Sequence, residues 1–299
     1  MTHVPHQHPF TPFDELPVAG MTDFMPMPPV DDILPRAMHD EFRHRLGTRS
    51  LDLTQWLTAD AETAPTIAMK QRLIEHRRSE VVALFEGGEL AAQEAAELVA
   101  QWAGMALTHS GIDALVDAAL MVADDLMVLE PRSTLAGEEL LFVAGVVCSP
   151  SRWNLADKMG KNMLQVHAPV SRYAEHIGVA VDTTLQRLSV DRPMWRSNWS
   201  LEDHPALFQP ELPRAPLVDD VSQLWIRIER ETLRRLPRTG GILFTIRGFQ
   251  QPLTDYVTRG AEHVQALRAL VKRLPDDVSR YKSVLPYRQL VLGWLDTQM

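Results

Sequence analysis

The 299-residue sequence is 45% hydrophobic and 23% charged, which excludes collagen-like, coiled-coil and wholly disordered classes. Its 30 Lys and Arg against 39 Asp and Glu leave a formal charge of −9, so it lacks the electrostatic footprint of a general nucleic-acid binder. The single cysteine, Cys148, excludes an internal disulfide, a Cys-based zinc site and a cysteine-ligated iron–sulfur cluster within one chain.

The first 35 residues hold eight prolines, which fix φ and remove backbone donors, so an extended surface wrap is expected there. This stretch lacks the basic and apolar regions of a signal peptide, and a cytoplasmic location is the expectation. His3, His6 and His8 read either as a metal-attracting cluster or as an exposed, frayed terminus. From Asp31 to Ala123 the pattern is mostly helical. Met69 to Glu86 forms one helix stopped by Gly87-Gly88, and Glu89 to Leu107 forms a second, paired antiparallel with it.

After Ala123 the pattern changes. Asp125 to Glu130 and Glu139 to Cys148 read as a β-hairpin. The nine-residue run Leu140 to Cys148 is the longest apolar stretch, well short of the roughly 18 residues of a membrane span. A helical region follows from Asn154 to about His167, then a looser one from Tyr173 to Leu188. Pro193 to Ser200, Gln223 to Leu233 and Gly241 to Phe249 are strand candidates, and Ala261 to Leu274 is a helix stopped by Pro275. The order predicts an α+β fold, with a five-stranded antiparallel sheet carrying helices on one face. The organisation is a Pro-rich and helical portion over 1–122, followed by a sheet-bearing domain over 123–299.

The chain has no Gly-x-Gly-x-x-Gly after a strand, no phosphate-loop Gly-Lys-Ser/Thr, no His-Glu-x-x-His, no Gly-x-Ser-x-Gly and no Cys-x-x-Cys-His. Nucleotide hydrolysis, zinc proteolysis, α/β-hydrolase chemistry and covalent haem attachment lose support. Met159, Met163 and His167 are spaced by four and share one helical stripe, ended by Pro169. A neutral imidazole on a methionine-lined face suits an iron or haem ligand; the competing reading is a buried histidine satisfied by a backbone carbonyl.

Arg230 continues the apolar register of Leu224, Ile226 and Ile228. Such a guanidinium either meets an anion or polar ligand or snorkels from the strand end to solvent. Arg247 points away from the Ile242, Phe244 and Ile246 row. Arg227, Arg230, Arg234, Arg235 and Arg238 form a basic run, read as a solvated face or as contacts for haem propionates or an acidic electron-transfer partner. On Pro193 to Ser200, Arg196 and Asn198 share one face, and Trp195, Ser197 and Trp199 the other.

The segments SPSRW (149–153), VHAPV (166–170), RPMWRSNWSL (192–201), ERETLRRLPRTGGILFTIR (229–247) and LPDDVSRYK (274–282) resemble the α subunit of haem-dependent oxidative N-demethylases. The resemblance covers roughly 124–282 and implies a PAS-like five-stranded domain holding a b-type haem. It implies oxidation of a small secondary amine such as dimethylamine by dioxygen, giving the primary amine and formaldehyde. Electrons would come from NADPH through a reductase subunit carrying FMN and a [2Fe–2S] cluster, with tetrahydrofolate on another partner. Neither nucleic acid nor membrane is implied. His167 would be the axial ligand of the iron. Arg230, Arg196 and Asn198 would line the pocket where charge develops on dioxygen as it is reduced. Tyr173 would enter as a hydroxyl donor, and Arg152 and Trp153 would hold a propionate and a porphyrin edge. The alternative within the same fold is a haem-based gas or redox sensor without catalysis.

Overall fold

The computed structural model describes residues 42, 44–57, 59–135, 137–211 and 218–299; the expected proline-rich wrap and His3, His6 and His8 lie outside them. The strands are β1 (Arg49–Ser50), β2 (Val82–Leu84), β3 (Asp125–Thr134), β4 (Gly137–Val146), β5 (Met194–Glu202), β6 (Trp225–Arg235) and β7 (Ile242–Pro252). The helices before β3 are α1 (Thr63–Val81), α2 (Glu89–Ala103) and α3 (Ile112–Ala119). Between β4 and β5 lie α4 (Met163–Val166), a π-turn (Ala174–Gly178) and α5 (Val179–Arg187). After β7 come α6 (Leu253–Tyr256), α7 (Ala261–Arg273), α8 (Asp276–Tyr281) and α9 (Arg288–Asp296).

The fold is α+β. All strand pairs are antiparallel, in the order β1-β5-β6-β7-β3-β4-β2. The five expected strands are β3 to β7, and two short strands extend both edges. One of them, β2, falls inside the expected Met69 to Glu86 helix, because Val82–Leu84 pairs with the end of β4. The helix therefore stops at Val81, ahead of the glycine pair. Helix α2 packs chiefly on α3 rather than on α1.

Helices cover both faces of the sheet, not one. Leu126 and Val128 point into a core with α1, α2 and α3, whereas Met127 and Leu129 point into a second core with α4 and α5. Ile226 and Ile228 join a third core, under α6, α7 and α9. The Asn154 to His167 region is not one helix. It holds a single 3-10 turn at Ala156–Lys158, an extended Met159 and the four-residue α4.

The face toward α1 carries unusually many buried charges. Lys70 is wholly buried and donates to the carbonyls of Val122 (3.1 Å) and Asp124 (2.6 Å). Burial pushes its ammonium pKa down and the Asp124 carboxyl up, the latter opposed by Arg247, Lys70 and Arg230. Asp124 closes a chain of hydroxyl contacts, in which Trp56 donates to Thr232, Thr232 meets Thr245, and Thr245 donates to Asp124. Arg247 is paired with Asp60 at 3.0 Å.

Arg230 lies in this layer, donating to the carbonyls of Trp56 (2.7 Å) and Gln55 (2.6 Å). It thus neither snorkels nor waits for an anion: the backbone before α1 satisfies it. Arg230→Ala should lower the unfolding free energy by about 3 kcal/mol, since two charge-assisted bonds and a cation beside Asp124 are lost. Urea denaturation reads this as a reduced midpoint at constant slope. A midpoint like wild type would show that the segment docks without it.

Candidate functional site

The site is built from the segment between β4 and α5. Asn162 and Gln165 form a capping box, each side chain bonded to the other's backbone N–H, and this starts α4 despite its length. The segment is tied to β4 by Asn162 Nδ2 donating to Glu139 (2.6 Å) and by Phe142 N–H donating to Lys161 (3.0 Å). Lys158 Nζ donates to the Val166 carbonyl at 2.6 Å, supporting the helix end.

His167 follows at the C-cap, half-buried. Its Nδ1 lies 2.8 Å from the Met163 carbonyl, and since a carbonyl only accepts, the proton sits on Nδ1 and Nε2 keeps its lone pair. Burial, with smaller repulsion from Arg196 and Lys158, lowers the imidazole pKa to about 4 against the helping Met163 bond. The ring is neutral at physiological pH. Met163 and Met159 both pack into the surrounding apolar cluster, although extended Met159 breaks the expected helical stripe.

A turn through Val170 brings Tyr173 back under His167, and the two rings stack 4.4 Å apart at 8°. Tyr173 is 4% exposed, yet its hydroxyl has no hydrogen-bond partner. Met127 and Leu129 of β3, Leu233 of β6, and Phe244 and Ile246 of β7 belong to the same cluster. Trp153, Met159, Val166, Met194, Phe244 and Ile246 pack on this cluster while remaining only partly buried.

Arg196 projects from the same sheet face and acts electrostatically on both His167 and Tyr173. Its Nε donates to the Leu46 carbonyl (3.0 Å) and its terminal nitrogen to Glu231 (2.8 Å). Asn198 is two residues along the same face, accepting from Lys282 Nζ at 2.9 Å. His167, Tyr173, Arg196 and Trp153 are thus brought together around one apolar cluster, with Asn198 beside Arg196.

Two expected residues are elsewhere. Arg230 pairs across the strands with Ser197 while Arg196 pairs with Glu231, so Arg230 faces away from His167. Arg152, with φ at 62°, is consumed internally: Nε lies 2.9 Å from Glu202, one terminal nitrogen 2.5 Å from Asp203, and the other donates to Ser283. These three contacts hold the guanidinium between Glu202, Asp203 and Ser283 rather than at the His167 cluster.

Apart from the exposed Arg238, the basic run is committed to partners within the protein. Arg227 donates to the Leu207 and Ser149 carbonyls, and Arg234 lies 4.0 Å over the Trp56 ring. Arg235 holds the C-terminal end of α5 through the Leu185 (2.5 Å) and Leu188 (2.9 Å) carbonyls, and the exposed Arg238 pairs with Glu94 and Glu97.

The sequence reading missed two contributors. Glu229 and Glu231 occupy the same face as Leu233, a placement that strand parity alone would reveal. The segment before β1 reaches the site through Leu46 and through His44, whose Nε2 donates to Ser171 (2.7 Å). No sequence signal marks that approach.

Residues 102–292 match the family model described as haem-dependent oxidative N-demethylase, alpha subunit-like. The chain belongs to this family. A haem-dependent oxidative demethylase of several subunits is the family's character, and the donor set fits that cofactor. The fixed Nδ1 proton, the Nε2 lone pair and the unpartnered Tyr173 hydroxyl are groups that a haem could use. No helix among the described residues is long and apolar enough to cross a membrane.

The His167 environment has a signature in the cofactor-free chain. Unfolded imidazole titrates near 6.5, whereas the folded one stays neutral to about 4, so between these values the unfolded state binds more protons. The penalty is therefore absent above pH 6.5 and grows as the pH falls toward 4. The stability of wild type relative to His167→Gln should drop between pH 7 and about pH 4.5 in urea titrations. A difference that stays constant would mean the imidazole is not desolvated.

Proposed function

We propose that this chain is the haem-bearing catalytic subunit of an enzyme that removes a methyl group from a small secondary amine, dimethylamine or a close analogue. The observation that carries the reading is His167, with Nδ1 committed to Met163 and Nε2 left as a free base on a half-open apolar surface. The balanced reaction is secondary amine, dioxygen, two electrons and two protons giving primary amine, formaldehyde and water. Bound b-type haem supplies the dioxygen and redox chemistry.

His167 would hold the iron through Nε2, and Trp153 would form part of the apolar wall. Arg196 and Asn198 supply the polar groups on the sheet side, with Arg196 fixed in direction by Leu46 and Glu231. A pre-fixed donor stabilises developing charge without reorganising when that charge appears. Arg230 and Arg152 act structurally, one docking the segment before α1 and the other joining β5 to the loop after α8.

The strand order β5-β6-β7-β3-β4 and the helical segment over the β3–β7 face support a PAS-type domain after residue 122. The helical portion before it shares a core with the sheet. NADPH would supply the electrons through a partner reductase with FMN and [2Fe–2S], and tetrahydrofolate would belong to a further partner. Cys148 supports this division of labour, since it is buried and its thiol pKa is pushed far up by burial. A cytoplasmic location accords with that reductant.

The visible spectrum of the purified chain tests the reading. Wild type should carry a haem band that shifts on adding dimethylamine, and His167→Ala should lose the haem while remaining folded. A haem band indifferent to amines would favour a sensor or another substrate. Absence of haem after supplementation would overturn the reading.

A further inference from the structure

One aromatic side chain at this site has a placement that pocket lining alone does not explain. Tyr173 lies flat against His167 with ring centres 4.4 Å apart and planes within 8°. The edge of its ring is backed by Gly178, where an added Cβ would stand 3.6 Å from Cε1. Strain is accepted just before it, for Arg172 has φ at 61° and is clipped to Asp277 at 2.8 Å, while Ser171 accepts from His44. The backbone on the approach to Tyr173 is therefore tethered from two directions.

A single hydrogen bond from Nδ1 to Met163 sets the tautomer and one edge of the imidazole, but it leaves the ring free to rock about that contact. A flat aromatic partner removes that freedom, because tilting the imidazole costs contact area across the whole stack. The tyrosine hydroxyl is the second observation. Buried polar atoms in native proteins are nearly always bonded, and this one has no partner. A phenol keeps its proton at neutral pH, so the hydroxyl is available as a donor. Phenylalanine would serve the stack equally well, so the hydroxyl implies an acceptor that arrives with a ligand.

We infer that Tyr173 is the positioning residue of His167: its ring fixes the orientation of the imidazole, and its hydroxyl is held for an acceptor on the bound cofactor, such as a haem carboxylate. This deepens the haem reading and rests on it. Tyr173 thereby belongs to the ligand's surroundings and not to the group of residues that meets the amine.

The test uses the full chain reconstituted with haem, and reads the ferric electron paramagnetic resonance spectrum and the rate of haem transfer to a scavenging apoprotein. Tyr173→Phe should keep the wild-type resonance line shape, because the stack remains, and release haem roughly three- to tenfold faster, the loss of one hydrogen bond. Tyr173→Leu should broaden the resonance, reporting a spread of imidazole orientations, and release haem faster still. Should the leucine variant not fold, Tyr173→Met, unbranched and ringless, takes its place. Wild-type line shape in the ringless variant would overturn the orienting role, and wild-type release from Tyr173→Phe would overturn the hydroxyl role. Wild-type protein that takes up no haem, or His167→Ala that keeps it, sinks the haem reading instead, so the two failures are distinct.

Discussion

A β-strand hands its residues alternately to two faces, and every functional distinction in this molecule depends on that division. Across β5 and β6, Arg196 pairs with Glu231 and Ser197 with Arg230, so two arginines one register apart end on opposite sides of the sheet. One lies by His167 in the apolar layer under α4 and α5. The other lies in the polar layer under α1, donating to two backbone carbonyls. No change of rotamer carries a side chain through a hydrogen-bonded sheet, so the division is permanent.

The His167 side shows how a short, weak element is made rigid. A four-residue helix is far below the length that holds itself together in water. Here the capping box, the tie from Asn162 to Glu139, the Lys158 contact at the helix end and the Tyr173 stack replace cooperative length with specific contacts. Several of these are polar bonds to backbone atoms, which fix direction as well as distance. The position of His167 is thereby defined in the free chain, so less ordering entropy would be lost on binding a ligand there.

Much of this was legible in the sequence where periodicity or chain punctuation governs. The hairpin of β3 and β4, the three later strands, α7 and the opposed faces of Arg196 and Trp195 all follow from patterns of two or 3.6 residues. His167 stood out by its apolar company, and that company is present although the stripe through Met159 is not helical. What escaped were long-range matters. Val82–Leu84 becomes a strand only because β4 offers an edge. Arg230 and Arg152 find partners 174 and 51 positions away, in Trp56 and Asp203, and no local pattern encodes such distances. Motif membership treated all the arginines alike, whereas parity and burial separate them.

Under the proposed function, the separation bears on how a cationic substrate would be tolerated. A secondary amine is protonated at neutral pH, and an unpaired guanidinium by the site would repel it. Arg196 is not unpaired: Glu231 stands 2.8 Å away on the neighbouring strand, itself 5% exposed. The pair offers a fixed dipole with nearly no net charge, and in a poorly solvated layer such a dipole acts over short distances while the long-range repulsion cancels. Placing Arg230 on the same face would have added a second guanidinium beside that pair. On the far face, Asp124 and the backbone carbonyls absorb its charge instead. For the proposed reaction, the arrangement would reconcile two demands that conflict in a single site: a guanidinium held ready for developing negative charge, and access for a positively charged amine.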